Sequence, residues 1–309
     1  MKKKEKKENK VNKLKKKLLL IFNPSSGKSM IRQELWQVID TFVKGGYDVT
    51  VYPTQKRLDA RDVVEQRSAE FDLIVVCGGD GTLSEAVQGV VALPENERVT
   101  LGYIPCGSTN DFGASLEIPF EIPEAAKKIV SGSSISCDCG SFNGKPYLYV
   151  SAFGIFTDVS YETPQKMKNQ FGHAAYIIEA IRRFKDYSYY HIKVESDEIS
   201  IEDDFILGLV SNTTSIGGMK NRFEYEPLLN DGLFECILIK RPETPADYQA
   251  ILSAIVTQDL DCPNIVKFTT RSVRFITSEP VKWTTDGEDG GSHTDLKINV
   301  IPNAYKIIA

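Results

Sequence analysis

The sequence predicts an α/β protein in which an N-terminal parallel-sheet domain is followed by a mostly antiparallel β-sandwich C-terminal domain. Three observations point there. Residues 18–134 alternate strand-like and helix-like patterns, the signature of βα units around a parallel sheet. Within them FDLIVVCGGDGTLSEAVQ, residues 71–88, runs from an apolar stretch through three glycines into a helical pattern. After residue 135 the chain breaks into short runs rich in β-branched and aromatic residues, separated by turn signals, as antiparallel sheets do.

Leu18–Phe22 reads as the first strand. Leu35, Val38, Ile39, Phe42 and Val43 form a helical stripe that Gly45-Gly46 stops. Asp48–Tyr52 reads as a strand, 57–68 as a weaker helix and 71–76 as a buried strand. From Thr82 to about residue 92 a helix follows, with Leu83, Ala86, Val87 and Val90 on one face. Residues 99–104 make another strand, and a helix over about 121–131 carries Pro123 in its first turn. Asn143-Gly144, between SISCDCGSF and KPYLYVSAF, signals a hairpin. Residues 165–185 read as helical. Strands are expected at Tyr189–Glu195, Phe205–Asn212, Leu233–Lys240, Ile265–Thr270, Ser272–Thr277 and Val281–Trp283, with 245–257 interrupting as a helix. The last residues, Ile298–Ile308, are expected to return to the first domain. The domains are therefore placed at 18–134 plus about 299–309, and at 135–298.

The chain of 309 residues, 41% hydrophobic and 26% charged, has the balance of a soluble globular protein. No apolar run approaches the roughly 20 residues that span a bilayer. Leu18–Phe22 follows a lysine tract but is too short for the apolar core of a signal peptide, and Asn23-Pro24 ends it. A cytoplasmic protein is expected. Six cysteines in this length make no disulfide framework. Cys77 and Cys106 read as small buried side chains at strand ends, and Cys137 and Cys139 share a strand face without a second pair at zinc-site spacing. Residues 1–17 hold ten lysines against two glutamates, a charge of +8, so the remainder carries −13 of the chain's net −5. That lysine block is expected to be disordered. It reads as a solubilising tail or as an attraction to anionic lipid. Nucleic acid is not an expected partner, because the folded body is acidic and no basic face with interleaved aromatics appears.

Five polar loops carry the candidate chemistry. In CGGDGT, glycines 78, 79 and 81 crowd a strand-to-helix turn, which brings bare backbone amides up to a phosphate; a Cβ there would block the approach or forbid positive φ. Asp80 in this loop repels phosphate unless a divalent cation lies between them, which suggests a Mg²⁺–nucleotide site. FNPSSGKS is nearly a P-loop but has Phe22 where that motif needs glycine. Asn23, Ser25, Ser26 and Gly27 offer hydrogen bonds there, and Lys28 a point charge. PCGSTNDFG offers Ser108, Thr109 and Asn110 as uncharged donors, with Asp111 structuring the turn. PLLNDGLFE sets Asp231 in a tight Asn-Asp-Gly turn, and WTTDGEDGG gathers Asp286, Glu288 and Asp289 among glycines. A kinase needs a carboxylate for the acceptor's proton and cations for the phosphates. If this last segment stays extended, Asp286 and Glu288 point into one cleft. The histidines, at 173, 191 and 293, form no triad or zinc arrangement.

NPSSGKS, CGGDGTLSEAV, IPCGSTNDF, PLLNDGLFE and TDGEDGG, in this order, resemble the bacterial soluble diacylglycerol kinase family of lipid kinases. The resemblance runs from about residue 18 to the end. GGDGT alone is shared with NAD kinases and more distantly with phosphofructokinases; GGDGT followed by a G-[ST]-x-N-D-F loop and a late D-G-E is far more specific. The resemblance implies an ATP-binding α/β domain, a β-sandwich lipid-binding domain and a cleft between them, with an apolar groove for acyl chains. ATP contacts are implied at Asn23, Pro24, Ser25, Ser26, Gly27, Thr54, Gly78, Gly79, Asp80, Gly81, Thr82, Leu83, Ser84 and Ser108. Asp80 is implied to act through Mg²⁺. Glu288 matches the family's proton acceptor, with Asp286 assisting and a rival for that role. Asp231, with the carbonyls of Leu228 and Leu233, is implied to hold a second, structural Mg²⁺ outside the cleft. The partners implied are ATP, a membrane lipid such as diacylglycerol and the anionic inner face of the membrane, which the protein meets peripherally; a homodimer stays open. An NAD kinase and a catalytically silent lipid-binding regulator are the alternatives.

Overall fold

The computed structural model describes residues 16–26, 31–154, 189–213, 215–216, 219–220, 228–257 and 259–309. The helix expected at 165–185, residues 1–15 of the lysine tail, and Gly27 and Lys28 of the first loop lie outside the described residues.

The N-terminal half is built of strands with helices between them. Strand β1 (Lys16–Phe22) leads to helix α1 (Ile31–Lys44), β2 (Tyr47–Pro53), α2 (Asp59–Arg67), β3 (Leu73–Gly78), α3 (Asp80–Ala92) and β4 (Thr100–Pro105). Two further helices follow, α4 (Asp111–Ser115) and α5 (Ile122–Ser131). β1 begins two residues before the expected Leu18. The Lys17 amide donates to Asp72 Oδ2 and the Asp72 amide to the Lys17 carbonyl, so these two lysines belong to the sheet rather than to the tail. α4 was not expected; five residues are too few to show a periodicity. Leu83, Ala86, Val87 and Val90 are buried as their spacing predicts, whereas Val43, counted into the stripe of α1, is 44% exposed.

The C-terminal half begins with β5 (Ser134–Phe142), β6 (Lys145–Tyr147) and β7 (Val150–Gly154). Asn143 and Gly144 both take positive φ, 46° and 86°, the turn that an Asn-Gly pair favours because its twist matches the flanking strands. β8 (Tyr190–Ser196), β9 (Ser200–Ser211), a short ribbon β10 (Ser215–Ile216) and β11 (Met219–Lys220), and β12 (Phe234–Lys240) come next. Helix α6 (Pro245–Thr257), β13 (Ile265–Thr270), β14 (Ser272–Thr285) and β15 (Glu288–Ile308) complete the order. The two runs expected at 272–277 and 281–283 are one strand, β14, whose register with β15 shifts between Ile276 and Val281.

Parallel pairing is confined to β2-β1-β3-β4 and to a short contact of β15 with β4. Every other described pairing is antiparallel, and all described strands but the β10–β11 ribbon join into one thirteen-stranded sheet of order β13-β12-β9-β7-β14-β15-β4-β3-β1-β2, with β5, β6 and β8 as branches. The expected separation into a parallel sheet and a sandwich is therefore corrected to one mixed, mostly antiparallel network with a sandwich-like C-terminal part. The reason is β15. Its 21 residues pair with β14 and β5, then reach β4 at Ile307 and Ile308, so one strand stitches both halves together. Separate cores persist around that seam. One packs Leu18–Ile21, Ile74–Cys77, Leu83 and Phe112; another packs Phe142, Phe153, Phe275 and Trp283.

Candidate functional site

The parallel strands end together. Phe22, Pro53, Gly78 and Pro105 are the last residues of β1 to β4, and loops beyond such carboxyl ends are where ligands bind in α/β sheets. The ladder continues into these loops: the Asn23 amide donates to the Cys77 carbonyl, Thr54 to Phe22 and Cys106 to Gly78, at 3.0, 2.9 and 2.7 Å. Asn23 organises its loop in turn. Its Oδ1 accepts the Ser25 amide at 2.9 Å, and its Nδ2 donates to Thr82 Oγ1 at 3.3 Å on α3. The result is a cleft of about 470 Å³ lined by Asn23, Ser25, Ser26, Thr54, Gly79, Gly81, Thr82 and Glu288, together with Gln55, Lys56, Arg57 and Glu85.

The glycines serve partly as expected. None of Gly78, Gly79 and Gly81 has positive φ. A Cβ on Gly78 would strike the Thr82 side chain at 2.7 Å, so this glycine lets the start of α3 fold back over the end of β3; one on Gly107 would strike the Gly79 Cα at 2.6 Å, so that glycine lets the CGGDGT and PCGSTNDFG loops pack against each other. Gly81 has open space where its Cβ would be, and it lines the cleft. It is the position where bare backbone leaves room for a ligand.

Asp80 opens α3 and turns toward the third loop. Its Oδ2 accepts the Asp111 amide at 3.0 Å and its Oδ1 the Phe112 amide at 3.3 Å, capping α4 from a distance. Burial pushes its carboxyl up to about 6, the charges of Asp111 and Asp286 push the same way, and the two amides oppose them. Asp80 is thus held beside other carboxylates, and a divalent cation would relieve that repulsion. Among the described residues no three His, Cys, Asp or Glu side chains group as a metal site.

The late acidic loop is a two-residue hairpin turn, not an extended segment. Thr285 pairs with Glu288, and Asp286 and Gly287 between them take φ of 51° and 80°. The turn sends the two acids to different places, which corrects the expectation that both point into one cleft. The Asp286 carboxylate accepts the amides of Leu148, Tyr149 and Val150 at 2.6, 2.9 and 3.2 Å, and the Ser84 hydroxyl at 2.6 Å. Burial raises its pKa; the Ser84 hydroxyl and the three amides pull the other way. It clamps the β6–β7 turn and helix α3 to the hairpin, with four donors on its two oxygens. Glu288 is exposed, lines the cleft and lies 2.7 Å from Arg57 Nη2.

The remaining expected residues fall as follows. Ser84 is buried with its hydroxyl given to Asp286, and Leu83 is buried in the core, so neither side chain faces the cleft. Pro24, in the first loop, and Gly78, the last residue of β3, do not line the cleft, and Ser108 is exposed away from its walls. The Asp231 turn stands elsewhere in the fold. Asp231 is exposed, with Oδ1 accepting the Leu233 amide at 2.9 Å, and Leu228 beside it is 58% exposed. A free carboxylate oxygen and main-chain carbonyls in a tight turn are the hard donors that Mg²⁺ takes.

Sequence reasoning missed Asp138, which sits inside the C-x-C and is fully buried. Its carboxylate accepts the Gly232 and Asn303 amides, both at 2.7 Å, so it holds the Asp231 turn against β15. It also missed Glu85, whose oxygens accept the Leu58 and Ala60 amides at 2.8 and 3.3 Å and so fix the loop carrying Arg57. A carboxylate set between two cysteines in the middle of a strand pattern was the available signal for Asp138. Cys137 and Cys139 flank it as buried thiols.

Known proteins match this chain over nearly all its length. Residues 17–142 match the diacylglycerol kinase catalytic domain, and residues 152–309 the YegS C-terminal NAD kinase beta sandwich-like domain. A diacylglycerol kinase of Bacillus subtilis (strain 168) is 31% identical over 295 residues, covering 95% of this chain and 96% of that relative. One from Staphylococcus carnosus (strain TM300) is 30% identical over 281 residues, 90% of each. A crystal structure of a diacylglycerol kinase from Bacillus anthracis str. Sterne superposes with a TM-score of 0.79 at 27% identity, covering 96% of this chain and 97% of that one.

Proposed function

Because the chain belongs to the diacylglycerol kinase family of lipid kinases, we propose that it transfers the γ-phosphoryl group of Mg²⁺-ATP to a hydroxyl of diacylglycerol or a related membrane lipid. One observation carries the reading: Glu288, from the C-terminal hairpin, lines the same cleft as the loops at the ends of β1, β2 and β3. Asn23, Ser25, Ser26, Thr54, Gly79, Gly81 and Thr82 hold the nucleotide there, with Gly27 continuing the first loop. Asp80 would hold Mg²⁺, which when bound would supply charge neutralisation at the phosphates. The lipid hydroxyl oxygen attacks the γ-phosphorus, the bond from that phosphorus to the bridging oxygen of ADP breaks, and the hydroxyl proton passes to the Glu288 carboxylate. Asp286, with its oxygens occupied by four donors, holds the hairpin in place rather than taking that proton. Residues 18–134 with 299–309 serve as the nucleotide domain and 135–298 as the lipid domain. Asp231 with the carbonyls of Leu228 and Leu233 holds a second, structural Mg²⁺.

The test separates the acceptors. The chain is incubated with Mg²⁺ and radiolabelled ATP against diacylglycerol in mixed micelles, against a total lipid extract, and against NAD. Labelled phosphatidic acid is the expected product. Label only in NADP would establish the NAD kinase, and no labelled product would leave the silent regulator.

The enzyme meets its lipid peripherally, at the cytoplasmic face, in this reading; none of the described helices is long and apolar enough to cross a membrane. The lysines of the N-terminal segment supply the attraction, roughly 1 kcal/mol for each one near an anionic surface. Lys16 and Lys17 are part of β1, so a clean deletion stops at residue 15. Removing residues 2–15 should weaken sedimentation with phosphatidylglycerol vesicles while activity on detergent-dispersed lipid persists; unchanged sedimentation would discard the tail as a membrane contact.

A further inference from the structure

Arg57 stands at the mouth of the cleft and reaches across it. Its Nη2 lies 2.7 Å from Glu288 Oε2, joining the loop after β2 to the β14–β15 hairpin. Lys56 and Arg57 are the cations among the described residues lining this cleft, facing the hydroxyls and amides of the nucleotide loops. Lys56 has Asp62 Oδ2 at 3.4 Å. The backbone that carries Arg57 is fixed on both sides. The Gln55 amide donates to Asp59 Oδ2 at 2.7 Å, the Leu58 amide to Glu85 Oε1 at 2.8 Å and the Ala60 amide to Glu85 Oε2 at 3.3 Å. Leu58 takes φ of 63°, a left-handed turn that places α2 behind the loop. The Arg57 side chain itself is 68% exposed and its partner Glu288 56%.

A fixed base with an exposed guanidinium allows an exchange of partners. An ion pair this exposed contributes little, because water screens it and ordering two long side chains costs entropy. A triphosphate carries more charge than one carboxylate, and its oxygens match the planar guanidinium fork two at a time. We propose that Arg57 is a positioning residue with two competing partners, Glu288 and the β- and γ-phosphates of the nucleotide. Drawing the guanidinium onto the phosphates frees the Glu288 carboxylate to accept the lipid hydroxyl's proton. Nucleotide arrival and release of the base are then one event, which keeps Glu288 masked until a donor is in place. This rests on the nucleotide occupying the cleft as proposed above.

The experiment reads nucleotide binding without turnover. Titration calorimetry of the full chain with Mg²⁺ and the non-hydrolysable analogue AMP-PNP, and separately with AMP, is repeated for R57A, R57K and E288Q and for R57A combined with E288Q. R57A should weaken AMP-PNP about 10-fold or more, the loss of charged hydrogen bonds, and leave AMP within about twofold by the same principle, since AMP lacks the outer phosphates. R57K should recover part of the loss, because it restores charge without the fork. E288Q should tighten AMP-PNP, and by about 2–5-fold more with Arg57 present than in the R57A background, the excess being the competition itself. Equal tightening in both backgrounds overturns the exchange, as does an R57A that binds AMP-PNP like the wild type or loses AMP in proportion. A wild-type chain that binds no AMP-PNP overturns the nucleotide reading and this proposal together; tight binding indifferent to Arg57 overturns this one alone.

Discussion

Two Asp-Gly turns of the C-terminal half look alike in sequence and differ in kind. Asn230-Asp231-Gly232 precedes β12, and Asp286-Gly287 joins β14 to β15; both glycines take positive φ, 75° and 80°. Around Asp286 four donors converge from the β6–β7 turn and from α3. Around Asp231 one amide, that of Leu233, is met locally, and the carboxylate remains exposed. The fold spends the first carboxylate on its own architecture and leaves the second available. A carboxylate surrounded by donors stabilises the chain with no ligand; one with spare oxygens at the surface contributes only when a cation arrives. Glu288, two residues beyond Asp286, shows the same division inside one hairpin: the acid enclosed by four donors sets the geometry and the exposed one lines the cleft.

The sharpest break in that comparison is expected within the hairpin. E288Q should lower the turnover rate by about 10²–10⁴, the usual contribution of a positioned general base, while its urea denaturation midpoint stays close to wild type, since only an exposed ion pair is lost. D286N should do the reverse first. An amide NH₂ would face donors where an oxygen accepted them, at an expected cost of about 3–5 kcal/mol in folding stability, with activity lost as the hairpin loosens. Wild-type turnover in E288Q would remove it as base. A D286N chain as stable as wild type would show that the four hydrogen bonds hold nothing.

What was legible in the sequence follows from the range of the interactions. The CGGDGT loop, the face of α3 and the Asn143-Gly144 hairpin are set by neighbours a few residues away, and their patterns announce them. The clamp on Asp286 was not legible, because its donors lie at Leu148–Val150 and Ser84, more than a hundred residues off. Reading the late loop as extended put Asp286 and Glu288 side by side, whereas the positive φ of Asp286 and Gly287 folds the chain between them. The joining of two expected sheets into one was hidden for the same reason. Only the register of β15 against β14, β5 and β4 reveals it. Asp138 and the Arg57–Glu288 pair belong to this class, each being a contact across the fold that no local spacing encodes.

Near the Asp231 turn lies a third acid that tests the cost of enclosing a carboxyl with one oxygen left unpartnered, its own main-chain amide being the donor that partly offsets burial. Glu235, on β12 between Ser211 and Thr269, is 1% exposed, and its Oε2 has no hydrogen-bond partner. Burial pushes its carboxyl up to about 8 from 4.5, helped by the charge of Asp231. The folded pKa lies above the unfolded one, so the unfolded chain ionises first as pH rises. Stability contributed by the neutral form is present below about 4.5 and lost progressively up to about 8. At 1.36 kcal/mol per unit, the penalty at pH 7 approaches about 3 kcal/mol. E235Q cannot ionise and should flatten this slope, gaining on the wild type by about that amount between pH 5 and 8 in urea denaturation. Parallel pH profiles for the two chains would mean that Glu235 is ionised in the folded state and that Asp286 is not unusual in having found donors.

The smallest effect is expected at Asp231, and it is the one that separates the two turns most cleanly. With chelator present, D231N should melt within about 0.5 kcal/mol of wild type, because an exposed side chain with one local hydrogen bond carries little of the fold. With Mg²⁺ added, the wild type should rise by RT ln(1 + [Mg²⁺]/Kd), about 2.7 kcal/mol at a hundredfold excess over Kd, and D231N should not. The turn itself survives in either case, since Asp138 pins the Gly232 amide from beneath. A D231N chain that still gains stability from Mg²⁺ places the stabilising ion elsewhere. One that loses stability in chelator makes Asp231 a structural acid like Asp286, and the distinction between the two turns disappears.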